Sequence, residues 1–98
     1  MDINKKFDGD QLTIELSGRL DTNTSPELEK ELETDLDNIK NLTFDFTELA
    51  YISSAGLRVI LSTEKRMQKQ GKMVIENVND IIMEVFDATG FSDILTIK

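Results

Sequence analysis

Two apolar periods alternate along this chain, and the alternation restricts it to a small set of folds. At the start, Ile3, Lys5 and Phe7 share one side of an alternating run, and Leu12, Ile14 and Leu16 share one side of the next. A period of two marks a half-buried strand. The link between the runs is Asp8-Gly9-Asp10, where glycine accepts the positive φ of a tight hairpin turn. The period then changes. Leu28, Leu32, Leu36 and Ile39 recur at helical spacing. Glu27, Glu29, Glu31 and Glu33 sit towards the start of that helix, where negative charge suits the helix dipole. Two starts fit it: Thr24 with Glu27 as a capping box, or Ser25 as the cap with Pro26 in the first helical position.

The pattern repeats. Leu42 to Phe46 reads as a short strand and Leu49 to Ile52 as a connector. Ala55 to Gln70 reads as a helix with Gly56, Ile60, Thr63 and Met67 on one stripe. Glu64, Lys65, Arg66, Gln68 and Lys69 form its wet side, and Gly71 ends it. Lys65, Arg66 and Lys69 read first as a solvated basic face and second as a contact for an acidic region of a partner, and Met67, Met73 and Met83 as core filling. Lys72 to Glu76 is a strand. Asn77 or Asn79 caps a third helix carrying Ile82, Val85, Phe86 and Thr89, closed by Gly90. Ile94 to Ile97 completes the chain as a last short strand. The order is β-β-α-β-α-β-α-β. Strands separated by helices require crossovers, so the expectation is one α/β domain over residues 1–98. Its mixed, mostly parallel sheet has about five strands and three to four helices.

Composition removes much chemistry. The 98 residues include no Cys, His or Trp. A Ser-His-Asp system, a thiolate nucleophile, a disulfide and a His- or Cys-based metal site are therefore outside the chain's means. The 19 acidic against 11 basic residues give a net charge of −8, which disfavours nucleic acid. No apolar run approaches the length of a membrane span, and the first residues lack the apolar stretch of a signal peptide. The expectation is a cytoplasmic protein without enzymatic activity, cofactor or metal, that binds neither nucleic acid nor membrane and is monomeric in isolation.

The most informative segment is Tyr51-Ile52-Ser53-Ser54-Ala55-Gly56-Leu57. A strand gives way to a helix at two adjacent serines. A serine at such a place can cap the orphan N–H groups. It can also carry a phosphoryl group, because a helix start favours negative charge. Residue physics alone favours the plain cap.

The whole chain resembles the STAS domain of bacterial anti-sigma factor antagonists. The resemblance rests on four pieces in order: Gly18-Arg19-Leu20-Asp21 with Thr24; Phe44-Asp45-Phe46 leading to Tyr51 through Leu57; Gly71 before a strand; and Phe86-Asp87-Ala88-Thr89-Gly90-Phe91. It implies a partner switch. In this family the serine matching Ser54 is phosphorylated by an anti-sigma factor that is itself a serine kinase. The unmodified antagonist binds that factor and frees the sigma factor; the phosphorylated form is released, and a serine phosphatase restores it. Partner contacts are expected at Asp21 and Thr24 and along Ser53, Ser54, Ala55, Gly56, Leu57 and Arg58. Many members carry Asp where this chain has Ser53, and Ser or Thr where it has Ala55, which leaves Ser53 as a second possible acceptor. Asp45, between two aromatics, reads as structural, hydrogen-bonding the turn that follows it and so helping to fix the serine loop. The resemblance also admits a STAS subunit of a lipid-transport ATPase or signalling assembly that works without phosphorylation. A serine hydrolase would need Lys40, Lys65 or another lysine, desolvated, as base beside Ser54.

Overall fold

A computed structural model describes residues 1–98. Strands β1 (Asp2–Asp8) and β2 (Gln11–Leu20) form the opening hairpin, with Gly9 at φ 61° in its turn. Helix α1 (Ser25–Asp35) leads to β3 (Asn41–Ile52), and α2 (Ser54–Gln70) to β4 (Lys72–Glu76). Helix α3 (Asp80–Thr89) and a 3₁₀ turn at Phe91–Asp93 follow.

The four strands lie in chain order, β1-β2-β3-β4. β1 runs antiparallel to β2, while β2, β3 and β4 are parallel. Both crossovers step in the same direction across the sheet. Right-handed crossovers then place their helices on the same face. Burial agrees. Leu12, Ile14, Leu42, Phe44, Met73 and Ile75 all point into one core with Leu28, Leu32, Ile60, Met67, Ile82 and Phe86. The opposite face carries Thr13, Glu15, Thr43, Asp45 and Glu76 and is left uncovered by helices.

The sheet has four strands rather than about five. The expected strand at Ile94–Ile97 is reduced to one parallel bridge between Ile75 and Ile97. The 3₁₀ turn draws the backbone N–H groups of Ile94 and Leu95 back to Phe91 O, at 3.0 and 2.8 Å. Only the final residues reach β4, through Ile75 N to Thr96 O and Lys98 N to Ile75 O, both 2.9 Å.

β3 is longer than its alternation suggests. Its register against β2 slips between Glu15 and Ser17, and again between Gly18 and Arg19, each time with an extra residue on β3. These bulges turn the buried positions into Phe46, Leu49 and Ile52. The apparent connector is strand, and it delivers the chain to Ser53.

Arg66, from the supposed wet face of α2, and Gln70, at the end of that helix, are structural. The Arg66 guanidinium donates to Leu32 O, Glu33 O and Asp37 Oδ1 at 3.3, 3.2 and 2.9 Å. It satisfies carbonyls at the end of α1, which has no basic residue in its own last turn. Gln70 does the same for Leu36 O and Ile39 O, at 2.8 and 2.7 Å. Glu64, also expected on the wet face, is buried at 6% exposure. Burial raises its pKa above the ordinary carboxyl value.

Gly71 does end α2, but in extended backbone, at φ 177°. A Cβ there would stand 1.9 Å from Lys40 O, so the helix terminates where only a glycine passes the α1–β3 loop. Asn79, not Asn77, caps α3 by accepting from Ile82 N at 2.8 Å. Gly90 closes that helix at φ 81°.

Candidate functional site

The carboxyl ends of β2 and β3 bring two loops together. Ser53 N donates to Leu20 O at 2.9 Å, stitching the start of α2 to the end of β2. Directly after Leu20, Asp21 organises the turn into α1. Its Oδ1 accepts from the backbone N–H groups of Asn23 and Thr24, at 3.0 and 3.1 Å. Its own N–H donates to Thr24 Oγ1 at 2.9 Å, and Thr24 Oγ1 donates to Arg19 O at 2.7 Å. The Thr24 backbone N–H, foremost, holds the Asp21 carboxyl below its ordinary pKa.

Neither expected cap of α1 forms. Thr24 is the residue before the helix, yet it already has helical φ/ψ and its side chain caps nothing. Its hydroxyl is committed to the Asp21 turn. Ser25 is 3% exposed, and its Oγ has no partner.

At α2 the two serines divide the roles. Ser53 is the cap, in extended conformation, and its Oγ accepts from Gly56 N at 3.4 Å. Its carbonyl accepts from Leu57 N at 2.9 Å. Ser54 is the first helical residue and is exposed, and its hydroxyl makes no hydrogen bond within the chain. A helix start with one spent and one free hydroxyl satisfies its own donors and still offers an oxygen to a partner.

The other expected contact residues fall in two groups. Ala55 is half-buried and Arg58 exposed, on the same rim as Asp21 and Thr24. Gly56 and Leu57 are buried, so a direct surface role for them is corrected. A Cβ on Gly56 would come within 2.8 Å of both Leu20 Cγ and Leu20 O, and 2.9 Å of Ile52 Cγ1. The small residue at this place serves close packing of α2 on the strand ends, not access for a partner.

Asp45 bonds the residues that follow it, as expected, but through them it holds the β3 bulge and not the serine loop. It accepts from Thr47 N and Thr47 Oγ1, at 2.9 and 2.5 Å, and from Asn77 Nδ2 at 3.1 Å. It braces the bulge of β3 against the loop after β4. The Thr47 hydroxyl is the main cause of its lowered pKa.

One surface pair has no signal in the local sequence pattern. The register sets Arg19 opposite Tyr51, and the guanidinium lies 4.2 Å from the ring centroid, with Nε 3.6 Å from Asp21 Oδ2. Residues 32 apart meet only because of the second bulge in β3.

A STAS domain family model matches residues 2–98. The chain belongs to the STAS domain family. An anti-sigma-B factor antagonist of Listeria monocytogenes is 34% identical over 98 residues, covering 96% of this chain and 84% of that protein. The anti-sigma-B factor antagonist of Bacillus subtilis is 26% identical, over all of this chain and 91% of that one. The structure of the anti-sigma factor antagonist SpoIIAA in its unphosphorylated form shares the fold, with a TM-score of 0.79 at 16% identity, over 99% of this STAS domain and 87% of SpoIIAA. An anti-sigma factor antagonist from Mycobacterium paratuberculosis superposes with a TM-score of 0.88 at 18% identity, over 98% and 83% of the two chains. SpoIIAA has also been solved in a phosphorylated form, with a TM-score of 0.77 to this chain over 99% of its length.

Proposed function

We propose that this STAS domain is an anti-sigma factor antagonist controlled by phosphorylation of Ser54. The unmodified protein binds an anti-sigma factor that is a serine kinase, and so frees a sigma factor. Phosphorylation ends the binding, and a serine phosphatase restores it. The observation that carries this reading is the division of labour at the start of α2: Ser53 holds the cap, and Ser54 stands exposed with an unengaged hydroxyl. The names of the two sequence relatives supply the class of partner. Ser53, with its oxygen spent on Gly56, is the poorer acceptor.

In the transfer, Ser54 Oγ bonds to the γ-phosphorus of a nucleoside triphosphate and the bond to the β-phosphate oxygen breaks. The diphosphate leaves, and the hydroxyl proton passes to a base in the kinase. The product adds roughly −1.5 to −2 charges to the rim. An uncompensated charge in a closed interface costs several kcal/mol, and each 1.4 kcal/mol is about tenfold in affinity. One phosphate therefore shifts binding by orders of magnitude.

Neither lysine named for the hydrolase alternative stands at the serine. Lys65 lies eleven residues along α2, about 16 Å away at 1.5 Å per residue. The backbone of Lys40 lies against Gly71, at the opposite end of α2.

The test is binding of the cognate anti-sigma factor kinase to wild type, Ser54→Ala and Ser54→Asp, with intact-mass analysis after incubation with the kinase and ATP. Wild type gains one phosphate, Ser54→Ala gains none and still binds, and Ser54→Asp binds at least tenfold more weakly. Equal affinity of Ser54→Asp and wild type refutes the switch. A native protein that never carries phosphate while bound in a larger complex favours the assembly-subunit reading.

A further inference from the structure

The geometry points to an internal seat for the Ser54 phosphate, in the groove between the starts of α1 and α2, with Arg58 as its cation and the Ser25 hydroxyl as a further donor. This rests on Ser54 being the modified residue and adds how the modified state is held. Ser54 and Arg58 are four apart on α2, a spacing that stacks two side chains on one face about 5–6 Å apart. Arg58 is exposed and makes neither an ion pair nor a hydrogen bond within the chain, unlike Arg19 and Arg66. Beside it lies a shallow groove of about 230 Å³, walled by Thr22, Ser25 and Pro26 on one side and Ala55, Arg58 and Val59 on the other, with Glu29 at its edge.

Ser25 supplies the independent sign. It is 97% buried by its 3% exposure, it lies in the groove wall, and its Oγ is the one enclosed side-chain polar atom in the protein without a hydrogen-bond partner. Such an orphan costs free energy until something satisfies it. A phosphate oxygen in the groove is a strong acceptor for that hydroxyl once the wall that encloses it gives slightly. The start of α2 adds the unspent N–H groups of Ser54 and Ala55, since those of Gly56 and Leu57 already go to Ser53. The charged side chains lining the groove are Arg58, which attracts the phosphate, and Glu29, which opposes it.

The consequence is that phosphorylation subtracts as well as adds. It places a dianion on the rim and withdraws Arg58, the exposed cation of α2 closest to Ser54, from any acidic group on a partner.

The test uses full-length protein with phosphoserine installed at position 54 by semisynthesis, confirmed by intact mass. The readout is the second phosphate pKa followed by ³¹P NMR. Free phosphoserine titrates near about 6. The wild-type phosphate is expected to titrate roughly one unit lower. Arg58→Gln returns it most of the way, Arg58→Lys preserves most of the shift, and Ser25→Ala returns it in part. Identical values in wild type and Arg58→Gln overturn the seat. An unchanged value in Ser25→Ala removes that hydroxyl from it. A purely structural Arg58 would alter the melting temperature of the unmodified protein without moving the phosphate titration. Because the phosphate is installed chemically, the result is independent of any kinase. A shifted pKa with full binding by Ser54→Asp would instead overturn the switch and leave the seat standing.

Discussion

Replacing Gly56 by alanine tests whether the start of α2 is held by contact or by its cap. The added Cβ meets Leu20 Cγ and Leu20 O at 2.8 Å and Ile52 Cγ1 at 2.9 Å, closer than such atoms pack. The two side-chain atoms can rotate aside, but the carbonyl cannot. It belongs to the backbone that accepts the Ser53 N–H. Overpacking of this kind costs about 1–3 kcal/mol. Alanine recovers up to about 1 kcal/mol of helix propensity. The net expectation is a loss of about 1–2 kcal/mol. At about 4–8 °C per kcal/mol for a domain of this size, the melting temperature falls by roughly 4–16 °C. Thermal melts and urea titrations of both proteins measure it. Because the strain pushes α2 off the strand ends, the shift should be accompanied by faster amide exchange at Ser53 and Leu57. An unchanged or raised melting temperature would show that the strand ends do not confine the helix start and that the close approach is incidental.

The two serines should separate in the same assay: Ser53→Ala loses a helix cap and costs about 0.5–2 kcal/mol, while Ser54→Ala, at an exposed position without partners, stays within about 0.5 kcal/mol of wild type. Arg66→Ala strips donors from the end of α1 and is expected to lower stability by about 1–3 kcal/mol in urea titrations, with no change in the association rate with the partner. For Glu64, burial raises the folded-state pKa, so its protonated form is the stabilised one. That stability is complete below the unfolded carboxyl value and is lost as pH rises through the raised folded value. Glu64→Gln should therefore unfold at higher urea than wild type at pH 7, and the difference should vanish below about pH 4; a constant difference at all pH values would refute it. Asp21 has the opposite sign: its lowered pKa contributes stability at neutral pH that fades as pH falls below the ordinary carboxyl value, and Asp21→Asn should flatten that acid limb.

Local patterns were enough to show the hairpin, the three helices, the glycines that end α2 and α3, and the serine junction, because each depends on neighbours within one turn or one strand. Whatever depended on two distant segments was hidden. The bulges of β3 exist only relative to β2, and they disguised Leu49 to Ile52 as a connector. Arg66 looks solvated until the end of α1 is brought beside it. Glu64 has charged neighbours in sequence, yet the packing of α2 buries it. The serine pair was legible as a site, but the assignment of roles within it was not. That needed the backbone conformation at Ser53, which directs its oxygen back to Gly56 and leaves Ser54 outward. Gly56 misled as an expected partner contact: its place beside Ser54 is visible in sequence, whereas its close approach to Leu20 and Ile52 is not.

The strands of the sheet stand in the order in which they are synthesised. Each newly added β–α unit finds its docking edge already formed by the unit before it, and no strand has to be inserted between two others. The parallel partners are still about thirty residues apart, Gln11 with Asn41 and Asn41 with Lys72, so each pairing has a crossover to close before its contacts form. Assembly of this kind extends the sheet along a single edge, in the direction of synthesis.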